Sequence, residues 1–256
     1  MRFFLSLCTG ALCILSAVAC EGEECGGSLP FIIILYGPQG SAKAAVSARL
    51  HVDYNLPAIS PATYLTANVL DETPLGNIAR DYVINGGPMP PDLVPSLLCD
   101  RLLQSDCCQG ALLEDSPLRL EQVQAIQECL SPRFQVLAIN IETSEEWIIK
   151  KAENRLFCTT CGKVFDLTQS SCQFNCDVCG TLLEKRAADS IEKLQAKVRR
   201  YKETLAPLLV WYKEEHSFVE ISGEKNFDEL YAEVSTIIQT KTGLLPAKAQ
   251  QLSQCD

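Results

Sequence analysis

Five short, mostly apolar runs punctuate the chain, at residues 31–36, 56–60, 110–113, 134–141 and 218–221. Each has the length of a strand, and the first, FIIILY, contains no charged residue at all. Between the runs the apolar positions change period and predict helices over 91–104, 120–130, 144–156, 187–215 and 227–238. In the last of these Phe227, Leu230, Tyr231, Val234 and Ile238 fall on one face, as a helix that covers a core requires. Strands alternating with amphipathic helices predict an α/β domain, a five-stranded parallel sheet covered on both faces. Two stretches break the alternation. Residues 61–89 read as two short helices split by Asp71-Glu72-Thr73-Pro74, and 156–183 as a small cysteine-rich module. Both read as insertions into the parent domain.

The first strand leads into Gly37-Pro38-Gln39-Gly40-Ser41-Ala42-Lys43-Ala44-Ala45 and then into the helical Val46-Ser47-Ala48-Arg49-Leu50. Strand, glycine loop, lysine and helix is the order of a phosphate loop. In G-x-x-x-x-G-K-[ST] the backbone amides cradle phosphate, the lysine supplies a mobile cation and the hydroxyl holds Mg2+. Gly37 and Lys43 keep that spacing, but Ala42 replaces the second glycine and Ala44 the hydroxyl residue. The loop therefore reads as damaged, and the bland alternative is a chance Gly-Lys turn.

Cys158-Thr159-Thr160-Cys161 and Cys176-Asp177-Val178-Cys179 form a C-x2-C pair of turns, each followed by glycine. Such turns present four thiolates to one tetrahedral zinc, and four sulfur ligands leave no open position for catalysis. The same cysteines could instead form two disulfides in an oxidising compartment, and Cys172 adds a further partner.

Composition bounds the rest. The chain has 256 residues, 47% of them hydrophobic, and a net charge of −10. That balance opposes broad affinity for nucleic-acid backbones, so a phosphate ligand has to be small and held by a local cluster of cations. Arg2 precedes an apolar stretch through Ala19, and Ala17-Val18-Ala19 offers small residues to a signal peptidase, so residues 1–19 predict an export signal. Cys20 follows directly and makes lipid anchorage an alternative route to a membrane. Of the 14 cysteines, Cys8 and Cys13 fall in that segment. His51 and His216, the only histidines, are too isolated to suggest a site.

Taken in order, the damaged phosphate loop, a helical insertion after the second strand and a cysteine knuckle after the fourth resemble the long form of adenylate kinase with a zinc-bearing lid. The resemblance runs from about residue 31 to 239 and is carried by Tyr54-Asn55-Leu56-Pro57-Ala58-Ile59-Ser60, Thr73-Pro74-Leu75-Gly76, Pro91-Asp92-Leu93-Val94, the knuckle, Ala206-Pro207-Leu208 with Trp211-Tyr212, and Val219-Glu220-Ile221-Ser222-Gly223. It implies a P-loop core at 31–60, 90–150 and 190–241, a monophosphate-binding insertion at 61–89, a lid at 151–189 and a tail at 242–256. It also implies a monomer that transfers the γ-phosphoryl group of MgATP to AMP, with structural Zn2+ on Cys158, Cys161, Cys176 and Cys179.

Residue by residue, the ATP side of the resemblance survives best. It places ATP against Gly37, Gly40, Ser41, Ala42, Lys43, Ala44 and Ala45, against Arg155, and against the backbone of Lys225, with Lys43, Arg155 and Arg186 acting on the transferring group. Lys151 and Lys197 stand where the family has arginine. On the AMP side it leaves Gln122, Arg186 and Lys197, while Pro61, Thr66 and Leu118 replace the threonine and two arginines that hold AMP. Arg119 sits one place beyond the lost arginine, and Glu114 takes the place of the aspartate that orders the waters of Mg2+. The expected activity is a reduced adenylate kinase. The alternative is an inactive, exported and cysteine-stapled descendant that binds a nucleotide or a partner.

Overall fold

A computed structural model describes residues 29–85, 92–130, 133–161, 163–166, 174–185 and 191–247. The expected export signal, Cys20, Cys172, Arg186 and the end of the tail lie outside these residues.

Strand β1 (Phe31–Tyr36) lies at the centre of a five-stranded parallel sheet ordered β2-β3-β1-β4-β8, with β2 (Ala58–Ile59), β3 (Gly110–Glu114), β4 (Gln135–Glu142) and β8 (Phe218–Ser222). Its uninterrupted apolar sequence follows from this position, because side chains alternate between two faces and neither meets water. Ile33 and Leu35 pack with Val46 and Leu50 of α1 (Lys43–Tyr54) and with Leu230, Val234 and Ile238 of α8 (Phe227–Thr242). Ile32, Ile34 and Tyr36 face the other way, onto α4 (Leu93–Leu102), α5 (Leu120–Leu130) and α7 (Ile191–Glu214). Strand β2 is shorter than the apolar run around it because it is an edge strand, paired only through Leu112 and Leu113 of β3. Helix α8 outruns its apolar stripe by one turn and ends at Gly243, in the left-handed conformation. Polar residues near its end, such as Thr240 and Thr242, continue the helix without contributing to the hydrophobic pattern.

The two breaks in the alternation are separate small packing units. Helices α2 (Pro61–Leu70) and α3 (Pro74–Asn85) join α4 through Leu65, Val69, Ala79, Leu93 and Leu97. Gly76 allows their close approach: a Cβ there would lie 1.9 Å from the carbonyl oxygen of Asn68. After α6 (Glu145–Glu153), strands β5 (Arg155–Cys158), β6 (Val164–Asp166) and β7 (Leu183–Glu184) form an antiparallel sheet ordered β6-β5-β7. Leu156, Cys158, Cys176 and Leu183 make its core.

Candidate nucleotide site

The glycine loop joins β1 to α1 at the carboxyl edge of the sheet, where β1 separates β3 from β4 and successive connections run to opposite sides. In open α/β sheets this switch point is where a crevice forms. Gly40 has φ +102°, which favours glycine. Ala42 has φ 64° and ends the loop as the N-cap of α1 without capping by its side chain. The first-turn amides of α1 are thus left to a ligand, at the positive end of the helix. The Ser41 hydroxyl is buried in the loop and has no hydrogen-bond partner among the described residues. A buried polar atom without a partner is unfavourable unless a ligand or water completes it.

The loop forms one wall of a cavity of about 720 Å3, the size class of small-molecule sites. Lys43, Lys151, Arg155 and Lys197 line it together with the carboxylates of Glu114 and Asp115. Each cation comes from a different element: α1, α6, β5 and α7. Lys151 lies over the Trp147 ring at 5.5 Å, and Lys197 donates to Gln39 Oε1 at 3.5 Å. Arg155 is partly buried, and its side chain has no hydrogen-bond or ion-pair partner among the described residues. Lys43 Nζ donates to the Gly37 carbonyl at 2.9 Å and is ion-paired with Asp115. Tyr201 donates to Asp115 Oδ1 at 2.9 Å and accepts the Gly37 N–H at 2.7 Å. Burial, then the nearby Asp115 carboxylate, pushes the Tyr201 phenol far up, so the hydroxyl stays a donor.

The residues expected on the AMP side do not converge in this way. Lys197 lines the cavity of the phosphate loop, whereas Gln122 and Arg119 line a separate groove of about 520 Å3 with Leu118 and Pro207. Gln122 Oε1 accepts the Leu118 N–H at 3.0 Å, so part of that amide side chain is committed to its own turn. Thr66 Oγ1 donates to the Ala62 carbonyl at 2.9 Å. Leu118 packs against the core. Lys225 lies in the turn after β8, outside the cavity lining, with its ammonium on Glu233 at 2.5 Å.

The four knuckle sulfurs lie within 4.8 Å of one another. Cys158 and Cys179 are 3.3 Å apart, and Cys161 and Cys176 are 3.5 Å apart. Thiolates about 2.3 Å from a tetrahedral zinc would be about 3.8 Å apart, so the cluster fits that ion. The Cys161 N–H, 3.5 Å from the Cys158 sulfur, is the largest influence lowering that thiol to about 6. At Cys161 the Lys163 backbone hydrogen bond is outweighed by the Cys176 sulfur, burial and the other sulfurs, and that thiol goes up, so Cys158 is the sulfur that favours a thiolate. For Mg2+ the fit is one-sided. Glu114 offers a carboxylate, whereas that of Asp115 is engaged by Lys43 and Tyr201 and Ala44 offers no hydroxyl.

Sequence reasoning passes over two groups in the cavity, Asp115 and Tyr201. The visible sign was the aspartate in Glu114-Asp115-Ser116-Pro117, where the resembling motif has glycine.

Comparison with known proteins agrees with this geometry. The family described as "Adenylate kinase" matches residues 35–217. The adenylate kinase of Symbiobacterium thermophilum is 32% identical over 216 residues, covering 81% of this chain and 98% of that protein. That of Clostridium botulinum strain 657 is 29% identical over 210 residues, 80% of this chain and 97% of its own. The sheet order, the phosphate loop and these likenesses together make the chain a member of the adenylate kinase family.

Proposed function

We propose that the protein is a slow nucleoside monophosphate kinase of the adenylate kinase type, which transfers the γ-phosphoryl group of ATP to AMP and yields two ADP. The observation that carries this reading is the convergence of Lys43, Lys151, Arg155 and Lys197 from four elements onto the uncapped N-terminus of α1. Phosphoryl transfer asks a protein mainly for positioning and charge neutralisation, because the loose transition state spreads negative charge over the transferred oxygens. The loop amides hold the phosphates, Lys43 meets the β and γ groups, and Arg155 meets the charge that develops on transfer. Lys151 and Lys197 add charge without the planar fork of arginine, which lowers the rate. Bound Mg2+ would be held through Glu114 and would neutralise phosphate charge. The knuckle cysteines hold structural zinc in the lid.

ADP formation from ATP and AMP tests the reading, with Lys43→Met as control. The wild type is expected to form ADP and the variant to lose the activity; equal rates in both would remove the loop from the mechanism.

A second reading has its own support. Gln122 and Thr66 are engaged within their own turn and helix, and Leu118, partly buried, packs against the core. A catalytically silent ATP binder, exported by residues 1–19, fits that pattern. It predicts binding of an ATP analogue that Lys43→Met abolishes, no ADP formation, and a mature N-terminus near Cys20.

A further inference from the structure

The phosphate-loop lysine already has an anion. Lys43 Nζ is paired with Asp115 Oδ2, and Asp115 Oδ1 accepts from the Tyr201 hydroxyl at 2.9 Å. Tyr201 in turn accepts from Gly37 N at 2.7 Å, and Lys43 donates to Gly37 O at 2.9 Å. These contacts close a ring that engages the loop's cation together with the amide of its first residue. The lysine side chain is 11% exposed and the aspartate 35%, so the pair is less screened than one at an open surface.

Asp115 is also held where it is. Its N–H donates to the Leu35 carbonyl at 3.1 Å, which fixes the residue beside the end of β1. Its φ of 49° lies in the left-handed region, which aspartate tolerates better than most residues but which still favours glycine. The backbone position suits a residue without a side chain, yet the side chain present is the one that reaches the lysine.

We propose that Asp115 is a built-in competitor for the phosphate position at Lys43, holding the lysine in the nucleotide-free protein until the β and γ phosphates displace it. This rests on the reading of the cavity as the ATP site. When the binding-competent state is only part of the population, apparent affinity falls by that fraction. Abolishing the competing carboxylate therefore tightens ATP binding, even though it removes an ion pair from the free protein.

The test measures binding of a non-hydrolysable ATP analogue by calorimetry, without divalent metal, to wild type, Asp115→Asn, Asp115→Gly and Lys43→Met. Asp115→Asn keeps the size of the side chain, while Asp115→Gly suits the backbone angle and provides a second folded variant. Both are expected to bind roughly tenfold more tightly than wild type. Thermal unfolding of the nucleotide-free Asn variant is expected at a lower temperature than wild type. Lower free stability with higher affinity is the signature of a competitor, and a purely structural ion pair would not produce it. Unchanged or weaker binding by either folded variant, with Lys43→Met still abolishing binding, would overturn the proposal and leave the ATP site standing. Binding that persists in Lys43→Met, or is absent from every protein, would remove the site reading and the proposal with it.

Discussion

The Tyr201 hydroxyl accepts the backbone N–H of Gly37 at 2.7 Å, across 164 residues of chain. Helix α7 thereby fixes the first residue of the phosphate loop, and the same hydroxyl donates to Asp115. Tyr201→Phe keeps the ring and removes both contacts. The expected loss is about 1–2 kcal/mol of stability, since a buried amide and a carboxylate oxygen lose their partner. Urea denaturation measures it, and an unchanged midpoint would mean that water replaces the hydroxyl.

Ala42 sits at φ 64°, where an L side chain is strained. Ala42→Gly relieves that strain but loosens the unfolded chain, for a net gain of about 0.5–1 kcal/mol. A higher melting temperature is the expected result. A lower one would show that the Ala42 methyl is held by contacts worth more than the strain.

Gly76 gives a prediction of opposite sign. The added methyl of Gly76→Ala meets the Asn68 backbone, which cannot swing aside as a side chain would. Pushing α2 and α3 apart is expected to destabilise by about 1–3 kcal/mol. Hydrogen exchange should place the loss in α2 and α3, with the central sheet still protected.

Two arginine replacements separate catalysis from packing on the AMP side. Thr66 is exposed on α2, so Thr66→Arg is expected to leave stability within about 0.5 kcal/mol. Its added cation should raise AMP-dependent ADP formation by roughly tenfold, below the effect of an arginine on the transferring group itself. Leu118 packs against the core, so Leu118→Arg is expected to destabilise by about 1–3 kcal/mol. Steady-state rates and melting curves of the two variants would distinguish these outcomes.

The knuckle makes a metal prediction. One zinc per chain is expected on metal analysis, with loss on Cys176→Ser and on chelation. Chelation should also expose 155–184 to protease while the core resists. Absence of zinc together with a mass lower by two disulfides would replace the metal with covalent staples.

Much of the fold was legible because its signals are local. The apolar run of β1, the one-sided stripe of α8 and the paired cysteine turns each lie within a short stretch, and burial or coordination acts on that stretch as a unit. The ends of elements were less legible. The extra turn of α8, Gln239-Thr240-Lys241-Thr242, is polar and closed by Gly243, so it leaves no trace in hydrophobic periodicity. Strand β2 is cut short by its place at the edge of the sheet, which its own apolar residues do not reveal.

The sequence by itself determined the α/β architecture, the phosphate loop with Ala42 and Ala44 at its glycine and hydroxyl positions, and the four-cysteine cluster, because each depends on residue type at fixed short spacing. Tertiary structure alone decided that Lys43, Asp115, Tyr201 and Gly37 share one polar ring, and that Lys197 faces the loop while Gln122 faces another groove. Those relationships join β1, the end of β3 and α7, and ionic and hydrogen-bond contacts at a few ångströms depend on how distant segments are brought together.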